Sequence, residues 1–403
     1  MSMLTVVIPA YNEEKGITAI INRVLSIKED LKAVNVDRLE LLVVNDGSRD
    51  RTCEIAQGIA RQDPDLRVID LGRNRGYGAA LKVGFSQACG DLVGFLDADG
   101  TYPPEYFPAL CKAALGGSDL VIGSRMAGAE SKMPLTRRIG NLFFAGLLTV
   151  LGFQRVTDSA SGMRVFKKSV LEKIYPLPNG LNFTPAMSTR AMHENITMTE
   201  VPIPYEERVG RSKLSVFRDG RIFLECILWT TLTYNPVKLL GLLGGAGLLV
   251  TLAIGLGLVI TRLSGVTSLG PWGVLALYVA PLAGVMGIGL VGLGAAFNYL
   301  VLLFYKTPIQ QGIVRKGLMR NVFEKHFIRI GVIPIAAGVI IAAVALGLGL
   351  HGWTIDRIWL YLLGSALMIL AGMQLLMNGY LVRVMLELSR RAEITEEDLH
   401  PTV

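Results

Sequence analysis

Short apolar runs and helically spaced segments alternate along the first 125 or so residues of the chain. The pattern predicts strands at 4–9, 39–45, 66–71, 91–96 and 119–123, and helices at 13–27, 51–61, 77–88 and 104–115. Alternating strands and helices are typical of an α/β domain with a mostly parallel, Rossmann-like sheet. Ligands of such domains bind at the carboxyl edge of the sheet.

The second part of the chain has a different pattern, with long stretches that contain no Asp, Glu, Lys or Arg. A helix needs about 20 apolar residues to cross the hydrocarbon core of a bilayer. We therefore predict four transmembrane helices, at about 237–261, 272–304, 329–350 and 358–382. The alternative is a buried helical core, which four successive uncharged stretches make less favourable.

Composition and charge support a membrane protein. The chain is 51% hydrophobic and carries a formal net charge of +7. Basic residues are concentrated between the second and third predicted spans and after the fourth span, and cytoplasmic loops are enriched in such residues. They are Lys306, Arg315, Lys316, Arg320, Lys325, Arg329, Arg383, Arg390 and Arg391. We expect a multi-pass protein whose N-terminal domain and C-terminus face the cytoplasm, with no nucleic-acid partner.

Polar residues follow three of the predicted strands. Asp97-Ala98-Asp99 comes after the fourth strand, Asn45-Asp46-Gly47-Ser48 after the second, and Tyr11-Asn12-Glu13 after the first. Each could be turn chemistry alone. Two acids one residue apart favour a divalent metal that carries a diphosphate, because their charges need a cationic partner. The pattern therefore indicates a nucleotide-diphosphate site.

The segment Arg75-Gly76-Tyr77-Gly78-Ala79-Ala80 is similar to part of a dinucleotide fingerprint, but the third glycine is missing. It opens a predicted helix. Either the helix N-terminus approaches a phosphate or its glycines allow close packing on the sheet.

Two segments are predicted to lie at the membrane surface. The segment 134–153 combines Arg137 and Arg138 with a run of Leu and Phe, and 217–235 begins with basic residues and continues into aromatic ones. Such amphipathic helices lie at the level of the lipid headgroups. Ordinary core packing is the alternative for either segment.

Several motifs together resemble glycosyltransferase family 2, with its GT-A fold, and within it the polyprenyl-phosphate glycosyltransferases of the dolichol-phosphate mannose synthase type. The resemblance covers about residues 3–220. Its motifs are Val7-Ile8-Pro9-Ala10-Tyr11-Asn12-Glu13, Val44-Asn45-Asp46-Gly47-Ser48, Asp97-Ala98-Asp99, Gly123-Ser124-Arg125, Asp158-Ser159-Ala160-Ser161-Gly162-Met163-Arg164, Val201-Pro202-Ile203 and 208–213.

The resemblance implies a role for each matching residue. Asp97, Asp99, Asp158 and Arg125 would be catalytic. The nucleotide sugar would bind at Pro9, Tyr11, Glu13, Asp46, Asp97, Ala98, Arg208 and Lys213, and the acceptor phosphate at Arg125, Arg137, Ser161 and Lys213. Mg²⁺ or Mn²⁺ would bind Asp99, Asp97 and Thr101, where Thr101 replaces a glutamine that is common in the family.

These observations predict a cytoplasmic GT-A domain at 1–216, an interfacial helix at 217–235, a transmembrane region at 236–383 and a cytoplasmic tail at 384–403. The expected reaction is inverting transfer of one sugar, mannose or glucose, from a GDP-mannose or UDP-glucose type of donor to a polyprenyl phosphate. The enzyme could also form a homo-oligomer. Transfer to another membrane lipid, or glycolipid flipping by a scaffold with an inactive domain, remain alternatives. A processive polysaccharide synthase would need an acceptor motif of the Gln-x-x-Arg-Trp type, which the sequence does not contain.

Overall fold

A computed structural model describes residues 2–128, 133–152, 154–206, 216–266, 268–305 and 318–399. The chain divides into two compact units, Met1–Thr231 and Leu232–Val403. The first unit contains a sheet with helices around it, and the second consists of long helices.

The first unit is built on a seven-stranded sheet in the order β3-β2-β1-β4-β6-β5-β7. The strands are β1 Met3–Ala10, β2 Arg38–Asn45, β3 Leu66–Asp70, β4 Leu92–Phe95, β5 Leu120–Ser124, β6 Arg164–Lys167 and β7 Met198–Pro202. β6 runs antiparallel to β4 and β5, whereas all the other neighbouring strands are parallel. The predicted α/β fold with a mostly parallel sheet is confirmed.

The central strands are buried because helices cover both faces of the sheet. Leu4, Val6, Val7 and Ile8 of β1 are completely buried. Near-continuous apolar runs of this kind are what a two-sided parallel sheet requires. The register pairs Ala10 at the end of β1 with Asn45 at the end of β2, so the polar residues that follow both strands meet at one edge.

The helices of the first unit follow the predicted order. They are α1 Ile17–Ser26, α2 Lys28–Lys32, α3 Thr52–Ala60, α4 Tyr77–Gln87, α5 Phe107–Leu115, α6 Leu135–Leu151, α7 Val170–Ile174, α8 Phe183–His193 and α9 Val216–Tyr234. α1 begins later than predicted, because the backbone N–H groups of Gly16 and Ile17 both donate to the carbonyl of Glu13 in a tight turn. A short 3₁₀ turn, Pro104–Tyr106, precedes α5.

Helix α6 has one buried stripe and one exposed apolar stripe. Asn141, Ala145 and Leu148 are buried, while Leu135 and Phe143 are 71% and 57% exposed. α6 contacts α9 through the rings of Phe144 and Phe223, whose centroids are 5.9 Å apart.

The second unit contains α10 Pro236–Leu263, α11 Pro271–Tyr305, α12 Leu318–Leu350 and α13 Ile355–Leu399. Each includes a segment long and apolar enough to cross a membrane, so the four apolar helices predicted from the sequence are present. The helices approach closely at small residues, as helices in membranes do. A Cβ on Gly244 of α10 would lie 2.6 Å from the carbonyl oxygen of Gly287 in α11.

Candidate active site

The loops after β1 and β2 are joined at the carboxyl edge of the sheet. The backbone N–H of Asn12 donates to the Ser48 hydroxyl at 3.0 Å, and the Asn12 side chain accepts from the N–H of Arg49 at 2.8 Å. Asn12 adopts a positive φ of 53° in this turn. The two loops therefore form one wall of a cleft, on which Tyr11 and Glu13 also lie.

Asp46 fixes a second wall. Its buried carboxylate accepts hydrogen bonds from the backbone N–H groups of Arg75 and Gly76, at 2.7 and 2.9 Å. The N–H groups of Gly78 and Ala79, in the first turn of α4, donate to the carbonyl of Asn179. These N–H groups are thus occupied by protein, so close packing rather than phosphate binding explains the glycines before and within this helix.

Asp97 lies half-buried at the end of β4 and is held on two sides. The Tyr77 hydroxyl donates to Asp97 Oδ1 at 2.8 Å. Burial raises the pKa of Tyr77 well above its ordinary value and the nearby Asp97 charge raises it further, so this phenol keeps its proton. On the other side, a Cβ on Gly162 would overlap the Asp97 carboxylate. Only glycine at position 162 leaves Asp97 this room.

Asp99 is oriented by its own turn. The Thr101 hydroxyl and backbone N–H both donate to Asp99 Oδ1, at 2.6 and 3.2 Å. No group of three or more His, Cys, Asp or Glu that could hold a metal occurs in the part of the chain that the structure describes. A magnesium site often has only one or two carboxylates, with substrate phosphates and water completing the shell. The Asp97 and Asp99 oxygens fit such a divalent metal, with Thr101 as a partner of Asp99.

Arg125 and Asp158 form a buried ion pair, and Arg125 lines the same cleft as Asp97 and Asp99. Arg125 Nε and Nη2 donate to the two Asp158 oxygens, both at 2.7 Å, and the Arg125 backbone N–H adds a third bond at 3.0 Å. The side chains are 11% and 0% exposed. Burial alone would raise the pKa of Asp158, but the charge and hydrogen bonds of Arg125 lower it below its ordinary value. Both groups are therefore charged at neutral pH.

The residues that follow Asp158 along the chain, 159–164, include several buried polar side chains. The Ser161 hydroxyl donates to the carbonyl of Gly123 at 2.6 Å, and Ser161 is completely buried. Arg164 is also buried and donates to the carbonyls of Ser159 and Ser161 and to the Ser188 hydroxyl. Burial lowers the pKa of Arg164 to about 10, which leaves it charged at neutral pH.

The cleft between these elements has a volume of about 430 Å³. Carboxylates at the carboxyl edge of the sheet line it together with residues in and around α6 and α9. The latter are Met133, Thr136, Arg137, Gly140, Asn141, Phe144, Gly220 and Phe223. A cleft of this volume is in the range of small-molecule binding sites.

Most of the residues expected at the site line this one cleft. They are Pro9, Tyr11, Glu13, Asp46, Asp97, Ala98, Asp99, Arg125 and Arg137. Asp158, Ser161 and Thr101 are buried beside the cleft instead, with their side chains bonded to other protein groups. Arg208 and Lys213 lie outside the described residues.

Several residues of the cleft were not predicted from the sequence, among them Tyr77, Tyr102, Tyr205 and Asn141. Asn141 donates from Nδ2 to the carbonyl of Thr157 at 3.2 Å, whereas its buried Oδ1 has no hydrogen-bond partner among the described residues. The position of Tyr102, three residues after Asp99, could have indicated that it lies at the site. Nothing in the local pattern distinguished Asn141 from a helix surface residue.

The parallel sheet, the carboxylate pair at its edge and the cleft beside it define a GT-A-like glycosyltransferase domain. Comparison with known proteins agrees: the model described as "Glycosyl transferase family 2" matches residues 5–175. A "Domain of unknown function (DUF8752)" matches residues 236–396. The chain belongs to glycosyltransferase family 2.

Two relatives show the extent of the similarity. Undecaprenyl-phosphate 4-deoxy-4-formamido-L-arabinose transferase of Pseudomonas aeruginosa is 31% identical over 307 residues, which cover 74% of this chain and 85% of that protein. Dolichyl-phosphate hexose transferase of Haloferax volcanii is 34% identical over 217 residues, which cover 54% of this chain and 89% of that protein.

A solved structure matches a larger share of the chain at lower similarity. It is a mannosyltransferase from Pyrobaculum calidifontis in complex with GDP-Man and Mn²⁺, 17% identical, with a TM-score of 0.41. The match covers 93% of this chain and 87% of that chain.

Proposed function

We propose that the protein transfers a single sugar from a nucleotide-diphosphate sugar to a polyprenyl phosphate, with inversion and with a divalent metal. The observation that carries the proposal is the cleft itself. It is lined both by the carboxylates Asp97 and Asp99 and by Arg125 and the rings of Phe144 and Phe223. The carboxylates suit a donor whose diphosphate is bound through a metal, and Arg125 with the apolar rings suits a phosphate on an apolar chain.

The relatives support the acceptor. Both are named as transferases that act on a polyprenyl phosphate, undecaprenyl in one and dolichyl in the other. Their names differ in the sugar, a formamido-arabinose in one and a hexose in the other. We therefore extend to this chain the lipid phosphate as the acceptor class, and keep mannose or glucose as the proposed sugar.

In the proposed reaction, an oxygen of the acceptor phosphate forms a bond to the anomeric carbon of the sugar. The bond between that carbon and the donor diphosphate breaks, and the electron pair leaves with the nucleoside diphosphate. A phosphate monoester has its second pKa near 6, so at neutral pH it is mostly a dianion. No protein base has to remove a proton from it.

The side chains of the cleft would bind and orient the two anions. Asp97 and Asp99 would hold Mg²⁺ or Mn²⁺, which neutralises charge on the diphosphate as it leaves. Tyr77 holds Asp97 in place and Thr101 holds Asp99. Arg125, fixed by Asp158, would bind the acceptor phosphate. Fixed charges of this kind favour a transition state because they need no reorganisation during the reaction.

We also propose a location for the reaction. The exposed leucine and phenylalanine side chains of α6 would lie in the headgroup region of the membrane, and the four apolar helices would span it. By the positive-inside rule, the basic residues between the second and third spans favour a cytoplasmic location for the catalytic domain and the C-terminus. With α6 at the headgroups, the cleft that α6 lines would lie at the level of a lipid phosphate.

A pair of matched substitutions tests the proposal. Asp99→Asn removes one carboxylate from the cleft, whereas Asp91→Asn makes the same change at an exposed position directly before β4. We expect Asp99→Asn to lower sugar transfer by at least about a hundredfold, since charge stabilisation at a leaving group is worth several kcal/mol. Asp91→Asn keeps wild-type transfer. Equal activity of the two variants would contradict the proposal and favour the scaffold alternative.

A further inference from the structure

The guanidinium of Arg125 lies over the rings of two tyrosines. The Arg125 Cζ atom lies 5.7 Å from the ring centroid of Tyr102 and 5.4 Å from that of Tyr205. The two rings are edge-on to each other, with centroids 5.8 Å apart. Together with Asp158, which binds one edge of the guanidinium, they fix its position.

Tyr102 has a second contact, on the donor side of the cleft. Its hydroxyl accepts a hydrogen bond from the backbone N–H of Gly162 at 2.7 Å. Gly162 packs directly on Asp97, because a Cβ at this position would come within 2.7 Å of Asp97 Cγ. The Tyr102 hydroxyl therefore fixes the backbone that limits the position of the Asp97 carboxylate.

The Tyr205 ring lies beside Arg125, on the acceptor side of the proposed arrangement. Its ring packs on Arg125 and on Tyr102, and it is 7% exposed. The backbone on either side of it is anchored: Ile203 donates to the Ser124 carbonyl at 3.0 Å, and Glu206 to the Thr101 carbonyl at 3.1 Å. The ring is thus held over the guanidinium by bonds that do not involve its hydroxyl.

We infer that Tyr102 and Tyr205 are positioning residues with separable effects on the two substrates. The Tyr102 hydroxyl acts through Gly162 and Asp97 on the nucleotide sugar. The Tyr205 ring acts through Arg125 on the acceptor phosphate. This inference rests on the proposed function, since it assigns the donor diphosphate to Asp97 and the acceptor phosphate to Arg125.

Three variants separate the two effects. Tyr102→Phe removes the hydroxyl and keeps the ring, Tyr205→Leu removes the ring, and Tyr205→Phe keeps it. Tyr106→Phe is a matched control, because Tyr106 lies in the 3₁₀ turn four residues further on and outside the cleft. KM for the nucleotide sugar and KM for a soluble short-chain acceptor, farnesyl phosphate, are measured for each with the full chain in detergent.

Tyr102→Phe should raise KM for the nucleotide sugar about tenfold or more, because a buried backbone N–H loses its partner, and change KM for farnesyl phosphate by less than about twofold. Tyr205→Leu should do the reverse, with about a tenfold rise in KM for farnesyl phosphate, the size expected for loss of a desolvated cation–π contact. Tyr205→Phe should recover most of that loss.

A structural role alone would give a different result. If Tyr102→Phe and Tyr205→Leu each raised both KM values by the same factor, the inference would be wrong. Binding of Mn²⁺ with UDP or GDP, measured by calorimetry, keeps the test independent of turnover. If the wild type binds a nucleotide without transferring sugar, the proposed function fails. Weaker nucleotide binding by Tyr102→Phe, but not by Tyr205→Leu, would then still support the inferred effect of Tyr102 on the nucleotide. Absence of nucleotide binding by the wild type overturns both.

Discussion

The buried pair of Arg125 and Asp158 gives the sharpest prediction about stability. Replacing Asp158 by Asn keeps the shape of the side chain and removes its charge. One of its two oxygens becomes an amide NH₂ group, a hydrogen-bond donor that faces the N–H donors of Arg125. The guanidinium, only 11% exposed, then remains without a charged partner.

The expected size follows from burial and geometry. The pair makes two bonds of 2.7 Å between side chains, and Asp158 is 0% exposed. Removing one partner of such a pair costs about 3–5 kcal/mol of the free energy of unfolding, because a charge stays buried without compensation. In a unit of this size, 1 kcal/mol lowers the midpoint of thermal unfolding by about 2–4 °C, so Asp158→Asn should lower it by roughly 6–20 °C.

Cysteine labelling measures this in the full-length protein. All four cysteines lie in the first unit, and Cys111 is completely buried, with burial raising the pKa of its thiol to about 12. A thiol-reactive dye therefore labels Cys111 only after this unit unfolds. Asp119→Asn is the control. The side chains of Asp119 and Lys167, which form an ion pair, are 33% and 39% exposed, so the pair should contribute less than about 1 kcal/mol to the free energy of unfolding.

A midpoint of Asp158→Asn within about 3 °C of that of Asp119→Asn would refute the reasoning. The pair would then contribute no more than a surface salt bridge, and the fixed orientation of Arg125 would need another explanation.

Three further predictions concern the cleft and pH. Tyr77→Phe removes the bond to Asp97 and should raise KM for the nucleotide sugar by about tenfold in steady-state assays. Gly162→Ala should abolish transfer in the same assay while nucleotide-free protein still folds, as circular dichroism would show, because the added Cβ displaces Asp97. The pKa values of Asp158 and Glu40 are both lowered in the folded state. Their stabilisation is therefore complete above about pH 5 and is lost as the pH falls through the folded-state pKa values, which denaturant unfolding at pH 7, 5 and 3 would detect.

Strands β1, β2 and β4 were predictable because most of their residues are apolar, whereas the more polar strand β7 was not predicted. β1 and β2 are buried on both faces, and polar residues of the candidate site follow directly after them. The four long helices were predictable for a similar reason, since the absence of charge over a whole span is a strong signal. The ends of the elements shifted. The turn at Glu13 delays α1 by four residues, and α12 and α13 extend more than ten residues beyond their predicted spans.

The antiparallel strand β6 was not predicted. It has four residues, Arg164–Lys167, and its first residue is a completely buried arginine. A charged residue at the start of so short a run does not resemble a central strand. The structure explains it, since carbonyl and hydroxyl groups accept hydrogen bonds from that side chain.

The candidate site was predicted in part. The strand-end motifs placed Asp46, Asp97 and Asp99 at one cleft, because parallel strands end at a common edge. The contacts among Tyr102, Gly162 and Arg125 join positions up to 60 residues apart, and no local pattern encodes them. Motifs indicated which residue types are present, whereas packing decided that Asp158 lies beneath Arg125 rather than at the surface of the cleft.

One measurement tests the central claim most directly. Purified full-length protein in detergent is incubated with a polyprenyl phosphate, Mg²⁺ or Mn²⁺, and in turn with radiolabelled GDP-mannose, UDP-glucose and other nucleotide sugars. The account predicts that label from one donor enters the organic phase, that EDTA stops the transfer and that added metal restores it. Protein that binds nucleotide but transfers no sugar from any donor to the lipid would contradict the account.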